Sequence, residues 1–232
     1  QKKGLYRPFA ELMKKTVDVP VICAGRMDDP DMALEALENG ETDMISLGRP
    51  LLADPDYVNK LRSGRVSEIR PCISCHEGCM GRIQEYSMLN CAVNPQACRE
   101  RANALNPVRI PKKVMIIGGG VAGCEAARVL ALRGHMPSLY EKGSRLGGNL
   151  LPGGAPDFKE DDIALADWFT TMLEKLRVPV YLNTEASADD IRKSGADAVI
   201  LATGSVPKVF SLGEDEHVYT AAQVLMKEKD AG

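Results

Sequence analysis

Three cysteines fall within eight positions of the stretch "RPCISCHEGCM", residues 70–80, and a fourth follows in "NCAVNPQACRE". Cys72, Cys75, Cys79 and Cys91 are spaced C-x2-C-x3-C-x11-C. Thiolates are soft, strongly donating ligands, and four of them suit either a tetrahedral zinc or a 4Fe-4S cluster. Structural zinc usually pairs two knuckles of similar two-residue spacing. Here three ligands crowd one turn and the fourth is remote, which wraps a cubane better than it folds a finger, with zinc as the alternative. His76, between two of the thiols, is expected at the surface because four thiols already complete a site. Cys23, Cys98 and Cys124 read as small buried side chains.

A second site is written in "VMIIGGGVAGCEAA". Gly118, Gly120 and Gly123 form G-x-G-x-x-G directly after a strand pattern and directly before a helix pattern. The first glycine allows the tight turn, the second lets a pyrophosphate approach the backbone, and the third lets helix and strand pack closely. The phosphate then sits on the free N–H groups of the helix N-terminus. Glu141 ends the next strand, "PSLYE", where a carboxylate accepts ribose hydroxyls and disfavours a 2′-phosphate. "SRLGGN", with Arg145, Gly147 and Gly148, and "LATGS", with Ala202, Thr203 and Gly204, place small residues where main chain approaches a nucleotide, and together they suggest FAD rather than NAD.

The third candidate is a doubled Gly-Arg. Gly25 and Arg26 in "AGRM", and Gly48 and Arg49 in "LGRP", close two consecutive apolar strand patterns. In eightfold α/β barrels the loops after the last two strands are the usual phosphate site, and a planar guanidinium matches a phosphate with paired hydrogen bonds. The alternative is that Arg26 and Arg49 pair with the nearby Asp28 and Asp54.

The elements that must position these residues are of α/β type. Residues 1–68 alternate strand and helix: "VPVICAG", then an amphipathic helix over 29–40, then "TDMISLG", then a helix "LLADPDYVNKLRSG" closed by Gly64. Two strand-helix units in a row predict parallel strands with helical crossovers, both buried on two faces as in the tail of a larger barrel. Residues 69–107 lose periodicity and need an organiser. Residues 108–232 read as a Rossmann-like domain with an amphipathic helix near 161–176 and further strands at "VPVYLNT" and "ADAVILATGS". Composition is ordinary, with 44% apolar and 26% charged residues and a net charge of −3, so nucleic acid and anionic membrane are not expected partners. No apolar run is long enough to span a bilayer, no secretory signal is visible, and the odd count of seven cysteines argues against a disulfide framework, which sets a cytoplasmic expectation.

The order of these motifs resembles the iron-sulfur flavoproteins related to old yellow enzyme, a family that includes 2,4-dienoyl-CoA reductase, 2-enoate reductase and trimethylamine dehydrogenase. The most specific part is the cysteine spacing followed by "VNPQAC". The resemblance implies a relay. FMN is held at the barrel end by Gly25, Arg26, Gly48 and Arg49, the 4Fe-4S cluster by the four cysteines, and FAD by the glycine turn, Glu141 and the "RLGG" loop. In the reductases hydride enters at FAD from NAD(P)H, single electrons cross the cluster, and FMN reduces an activated C=C bond of an enoate or enoyl-CoA type substrate. The dehydrogenase alternative has ADP in place of FAD and sends electrons outward. A reading of another class is a zinc-stapled nucleotide-binding module without redox role. The earlier barrel strands and a second G-x-G-x-x-G of a nicotinamide-binding insertion do not occur in the sequence. The chain therefore reads as an internal piece of a longer enzyme, with no catalytic acid, base or nucleophile expected in it.

Overall fold

In a computed structural model of the chain, residues 2–206, 208 and 218–227 are described. The protein is α/β with parallel sheets and divides into two compact units, residues 1–103 and 104–232.

Unit 1 runs α1 (Arg7–Lys14), β1 (Ile22–Cys23), α2 (Pro30–Glu38), β2 (Met44–Ile45), α3 (Arg49–Ala53) and α4 (Tyr57–Arg62). A π turn, Glu77–Gly81, then leads into α5 (Arg82–Gln84). β1 and β2 pair in parallel, Ile22 against Met44 and Cys23 against Ile45. The crossover helix α2 starts where the sequence requires: Asp29 accepts the Asp31 and Met32 amides at 3.1 Å, with Pro30 at the first helical position. Cys23, Met27, Ala10 and Ala36 form the core, with Ile45 and Leu47 packed on it. Arg7 ties α1 to the end of α2 through a bidentate pair with Glu41, at 2.6 and 2.7 Å.

Within this chain alone Ile22 is 57% and Met44 47% exposed, on the sheet face opposite Cys23. One expectation needs correction here. The single helix expected over "LLADPDYVNKLRSG" is two. Asp54, which precedes Pro55, is extended at φ −139° and ψ 97°, since proline excludes the helical region for the residue before it.

Unit 2 runs β3 (Lys113–Ile117), α6 (Val121–Leu132), β4 (Met136–Tyr140), α7 (Leu150–Gly153), α8 (Glu160–Lys175), β5 (Val180–Tyr181), α9 (Ala188–Lys193), β6 (Ala198–Leu201) and α10 (Ala221–Leu225). The sheet is parallel with the order β5-β4-β3-β6. The chain steps outward from β3 to β5 and then returns to the other side of β3. The carboxyl ends of β3, β4 and β6 therefore meet at a topological switch point, where open α/β sheets bind ligands. The core under it holds Val114, Ile116, Leu139, Ala127 and Cys124, closed by Leu165, Trp168, Phe169 and Leu173 of α8. Among the described residues no helix is long and apolar enough to cross a membrane.

Close approach of α6 to β3 rests on Gly123, where an added Cβ would stand 1.9 Å from the Gly118 carbonyl oxygen. The obstacle is backbone and cannot rotate away. Gly123→Ala is therefore expected to destabilise unit 2 by about 1–3 kcal/mol, the usual cost of overpacking. The measurement is urea unfolding followed by the fluorescence of Trp168, the chain's one tryptophan and a buried one.

Candidate functional site

Cys72, Cys75, Cys79 and Cys91 line one cavity, together with Arg49, Leu52, His76, Gly78 and Val93. Left-handed backbone at Ser74 and His76 turns the chain on either side of Cys75, and the π turn carries Cys79. The remote thiol is returned by its neighbour: the Asn90 amide donates to the Gly78 carbonyl at 2.7 Å. A Cβ on Gly78 would meet Asn90 Oδ1 at 2.2 Å and Asn90 O at 2.8 Å, so only glycine allows this approach. Among the described residues no three His, Cys, Asp or Glu side chains close on a single-ion position. Burial raises the pKa of the Cys72 thiol, so deprotonation there needs a cationic group as partner.

The loop's organiser, which sequence reasoning missed, is a set of buried polar groups. The Asp54 carboxylate, 4% exposed, accepts from Lys60 Nζ at 2.6 Å, the Arg70 amide at 2.8 Å and the Asp56 amide at 3.1 Å. Arg70 Nη1 donates to the Val93 carbonyl at 2.8 Å, and Asn94 Nδ2 to that of Leu52 at 2.9 Å. Both flanks of the thiol loop are thereby fastened to α3. Cys98 corrects the expectation of burial: it is exposed, in a left-handed turn (φ 59°) whose amide donates to Glu100 Oε1 at 2.9 Å. Cys23 and Cys124 are buried.

A second cavity, of about 260 Å³, is lined by residues 24–28 after β1 and 46–50 after β2, with Cys72, Ser74 and Met80. Gly25, Arg26, Gly48 and Arg49 all line it. The first loop is anchored from behind, by the Tyr57 hydroxyl donating to the Asp28 carbonyl at 3.1 Å and the Gly4 amide donating to that of Arg26 at 3.0 Å. Burial pushes the Tyr57 pKa up to about 12, which keeps that hydroxyl a donor. Arg26 Nε stands 3.8 Å from Asp28 Oδ1, as the carboxylate alternative expects, whereas the Asp54 carboxylate is taken by Lys60 and main-chain amides. Arg49 Nη1 lies 2.5 Å from His76 Nε2. Loss of hydration first and the Arg49 charge second lower the His76 pKa. Arg49 and Cys72 line both this cavity and the thiol cavity.

The third cavity, of about 520 Å³, opens at the switch point of unit 2. Gly118, Gly120, Glu141, Gly148, Ala202, Thr203 and Gly204 line it, as do Lys142, Asn149, Thr184 and Glu185, which sequence reasoning missed. The last two follow β5, so the rule that ligands sit beyond strand ends would have found them. Gly118 has φ 105°, and a Cβ there would stand 2.3 Å from the Ala202 carbonyl oxygen. Gly123 lies beneath the turn, and Gly147 pairs with Gly120 while its amide donates to Gly119 O at 2.9 Å. Arg145 is not among the lining residues: its Nη2 pairs with Asp167 on α8 at 2.7 Å. Both Glu141 oxygens are engaged, accepting the Gly119 and Gly143 amides at 2.6 Å each. Each keeps a further lone pair for a ligand hydroxyl. The buried Cys124 thiol, its pKa pushed up to about 12 by burial, donates to Gly119 O at 3.2 Å and braces the turn.

The NADH:flavin oxidoreductase / NADH oxidase family profile matches residues 2–68, and that of the pyridine nucleotide-disulphide oxidoreductases residues 112–231. The chain is 52% identical over 232 residues to the cinnamate reductase of Clostridium sporogenes, covering all of this chain and 35% of the relative. Among solved structures, a 2-naphthoyl-CoA reductase complex superposes with a TM-score of 0.96 at 31% identity, over 100% of this chain and 36% of that one. Histamine dehydrogenase from Rhizobium sp. 4-9 superposes at 0.88 with 25% identity, over 99% and 36%. The chain thus spans about a third of the length of the relatives it matches. With the pyridine nucleotide-disulphide oxidoreductase match over about half of its length and the NADH:flavin oxidoreductase match ahead of it, the chain belongs to the old yellow enzyme-like flavoproteins.

Proposed function

We propose that this chain carries the cofactor sites of an NAD(P)H-dependent iron-sulfur flavoprotein oxidoreductase that reduces an activated C=C bond in an enoate or enoyl-CoA type small molecule. In this reading residues 1–68 are the C-terminal part of an FMN-binding TIM barrel, 69–107 the 4Fe-4S segment and 108–232 an incomplete FAD-binding domain. The observation that carries it is the shared wall: Arg49 and Cys72 line both the Gly-Arg cavity and the thiol cavity, which makes the two sites neighbours within one unit. When bound, FAD would supply hydride acceptance from NAD(P)H, the cluster single-electron transfer and FMN the reduction of the substrate. The relatives named for cinnamate and 2-naphthoyl-CoA support a conjugated substrate.

The chain's own part is placement. Arg26 and Arg49 offer guanidinium donors to a phosphate, and Gly25 and Gly48 keep the two loops low beside it. The four thiols line one cavity, and their C-x2-C-x3-C-x11-C spacing is what favours a 4Fe-4S cluster over a single zinc. In unit 2 the first N–H groups of α6 face the cavity for a pyrophosphate, Glu141 offers its remaining lone pairs to a ribose, and Ala202, Thr203 and Gly204 leave room beyond. The dehydrogenase reading, with ADP in that cavity, is favoured by the likeness to histamine dehydrogenase. Glycine turn and Glu141 serve the ADP half of either ligand equally.

Two measurements test these assignments in the full-length protein. Anaerobic preparations are expected to contain about four iron and four sulfide per chain. Gly78→Ala, which pushes Asn90 and with it Cys91 away, should weaken cluster retention about ten- to a hundredfold, while Cys98→Ser leaves it unchanged. Stoichiometric zinc without iron after anaerobic reconstitution would reject the cluster.

The second measurement identifies the noncovalent cofactors released by mild denaturation. FAD is expected beside FMN, and Glu141→Ala should weaken FAD retention about tenfold or more with iron content intact. ADP without FAD, in protein whose FMN and iron are complete, would assign the chain to the dehydrogenase reading.

A further inference from the structure

His76 and Arg49 meet at the wall between the Gly-Arg cavity and the thiol cavity, with 2.5 Å between Arg49 Nη1 and His76 Nε2. A guanidinium only donates, so in this contact His76 Nε2 serves as the acceptor. His76 has little freedom to withdraw. Its backbone is left-handed at φ 63°, its carbonyl accepts the Gly81 amide at 2.8 Å, and the residue before it is the thiol Cys75. Such backbone is uncommon outside glycine and is concentrated at functional sites. His76 is exposed, as the sequence led one to expect, so it is this contact and not burial that holds the ring.

A free arginine side chain samples many rotamers and loses that freedom on binding a phosphate. A contact that holds the guanidinium beforehand removes part of the loss, and because arginine has five N–H donors it still leaves donors for the ligand. We infer that His76 is a positioning residue for Arg49, holding its guanidinium at the cavity wall for the phosphate of a flavin mononucleotide. This rests on the FMN reading of the Gly-Arg cavity and deepens it. The same loop that gathers the thiols then also sets phosphate affinity, so the two sites form one mechanical unit.

The test uses the full-length enzyme freed of FMN with its cluster retained, titrated with FMN and separately with riboflavin, which lacks the phosphate. His76→Asn keeps a residue that tolerates left-handed backbone but falls short of Arg49, and His76→Gln keeps an acceptor within reach. His76→Asn is expected to weaken FMN binding about tenfold, the scale of one charge-assisted contact, and to leave riboflavin unchanged. His76→Gln should recover most of the loss, and in an Arg49→Ala background His76→Asn should add nothing. If Arg49→Ala lowers the ratio of FMN to riboflavin affinity while His76→Asn, with full iron, does not, the role of His76 is overturned and the FMN reading stands. If Arg49→Ala leaves the ratio unchanged, the FMN reading falls and the role of His76 with it. Should His76→Asn shed iron, the double substitution decides. A loss of FMN affinity beyond that of Arg49→Ala assigns His76 to loop folding alone and overturns the inference; no further loss sustains it.

Discussion

The buried carboxylate of Asp54 fastens an aperiodic loop to a regular one. A charge removed from water is tolerated only when it is paired and its remaining lone pairs are filled. Asp54 achieves this with one ammonium, that of Lys60, and the amides of Arg70 and Asp56. The arrangement requires the chain to leave α3 at that residue, which Pro55 enforces, and to return at Arg70, two residues before the first thiol. Arg70 in turn holds Val93 and Asn94 holds Leu52, so the segment beyond the fourth thiol is tied back as well. Losing one partner of such a set strands a charge, at a typical cost of about 3–5 kcal/mol. The thiol cavity and the wall it shares with the Gly-Arg cavity both depend on this attachment.

Unit 2 meets a related need with another carboxylate. The glycine turn has no side chains to hold its shape, and its amides are the groups a pyrophosphate would use. Glu141 reaches the turn at Gly119 and the following loop at Gly143, both at 2.6 Å. The Gly120–Gly147 bridge and the Cys124 thiol on Gly119 O complete the brace. The binding surface is thus formed before any ligand enters, which lowers the ordering cost of binding.

What was legible in the sequence follows from what each signal reports. Period and punctuation report local geometry, so the glycine turn between strand and helix and the crossover between β1 and β2 stand where the pattern puts them. Proline reports backbone too, yet the break at Asp54 was masked by an apolar pattern that continues across it. The hub residues Asp54, Arg70 and Asn94 are of types usually found at the surface, and burial of a polar residue leaves no mark in periodicity. Cysteine spacing gathers four thiols at one cavity but does not say that Cys98 points outward, because a single left-handed residue decides that. Arg145 shows the same limit: the loop it belongs to lies at the cavity, but its side chain turns to Asp167.

The cavities of the two units are therefore lined in different ways, and this predicts where each tolerates change. In unit 2 the turn is shaped by backbone: a Cβ at Gly118 would collide with the Ala202 carbonyl at 2.3 Å, and several other lining positions are small residues. Such a site is intolerant of any added atom at the turn, and it depends on the Glu141 and Cys124 side chains that brace it. In unit 1 the cavities are lined by side chains, four thiols and two guanidinia, on loops held by polar contacts. There each contact is lost by a single substitution, and the contacts are not independent, because Arg49 and Cys72 each face two cavities. Additivity fails among residues that share partners. Changes at the thiol loop and at the Gly-Arg loops are thus coupled, whereas an atom added at Gly118 or Gly123 acts on unit 2 through collision with backbone.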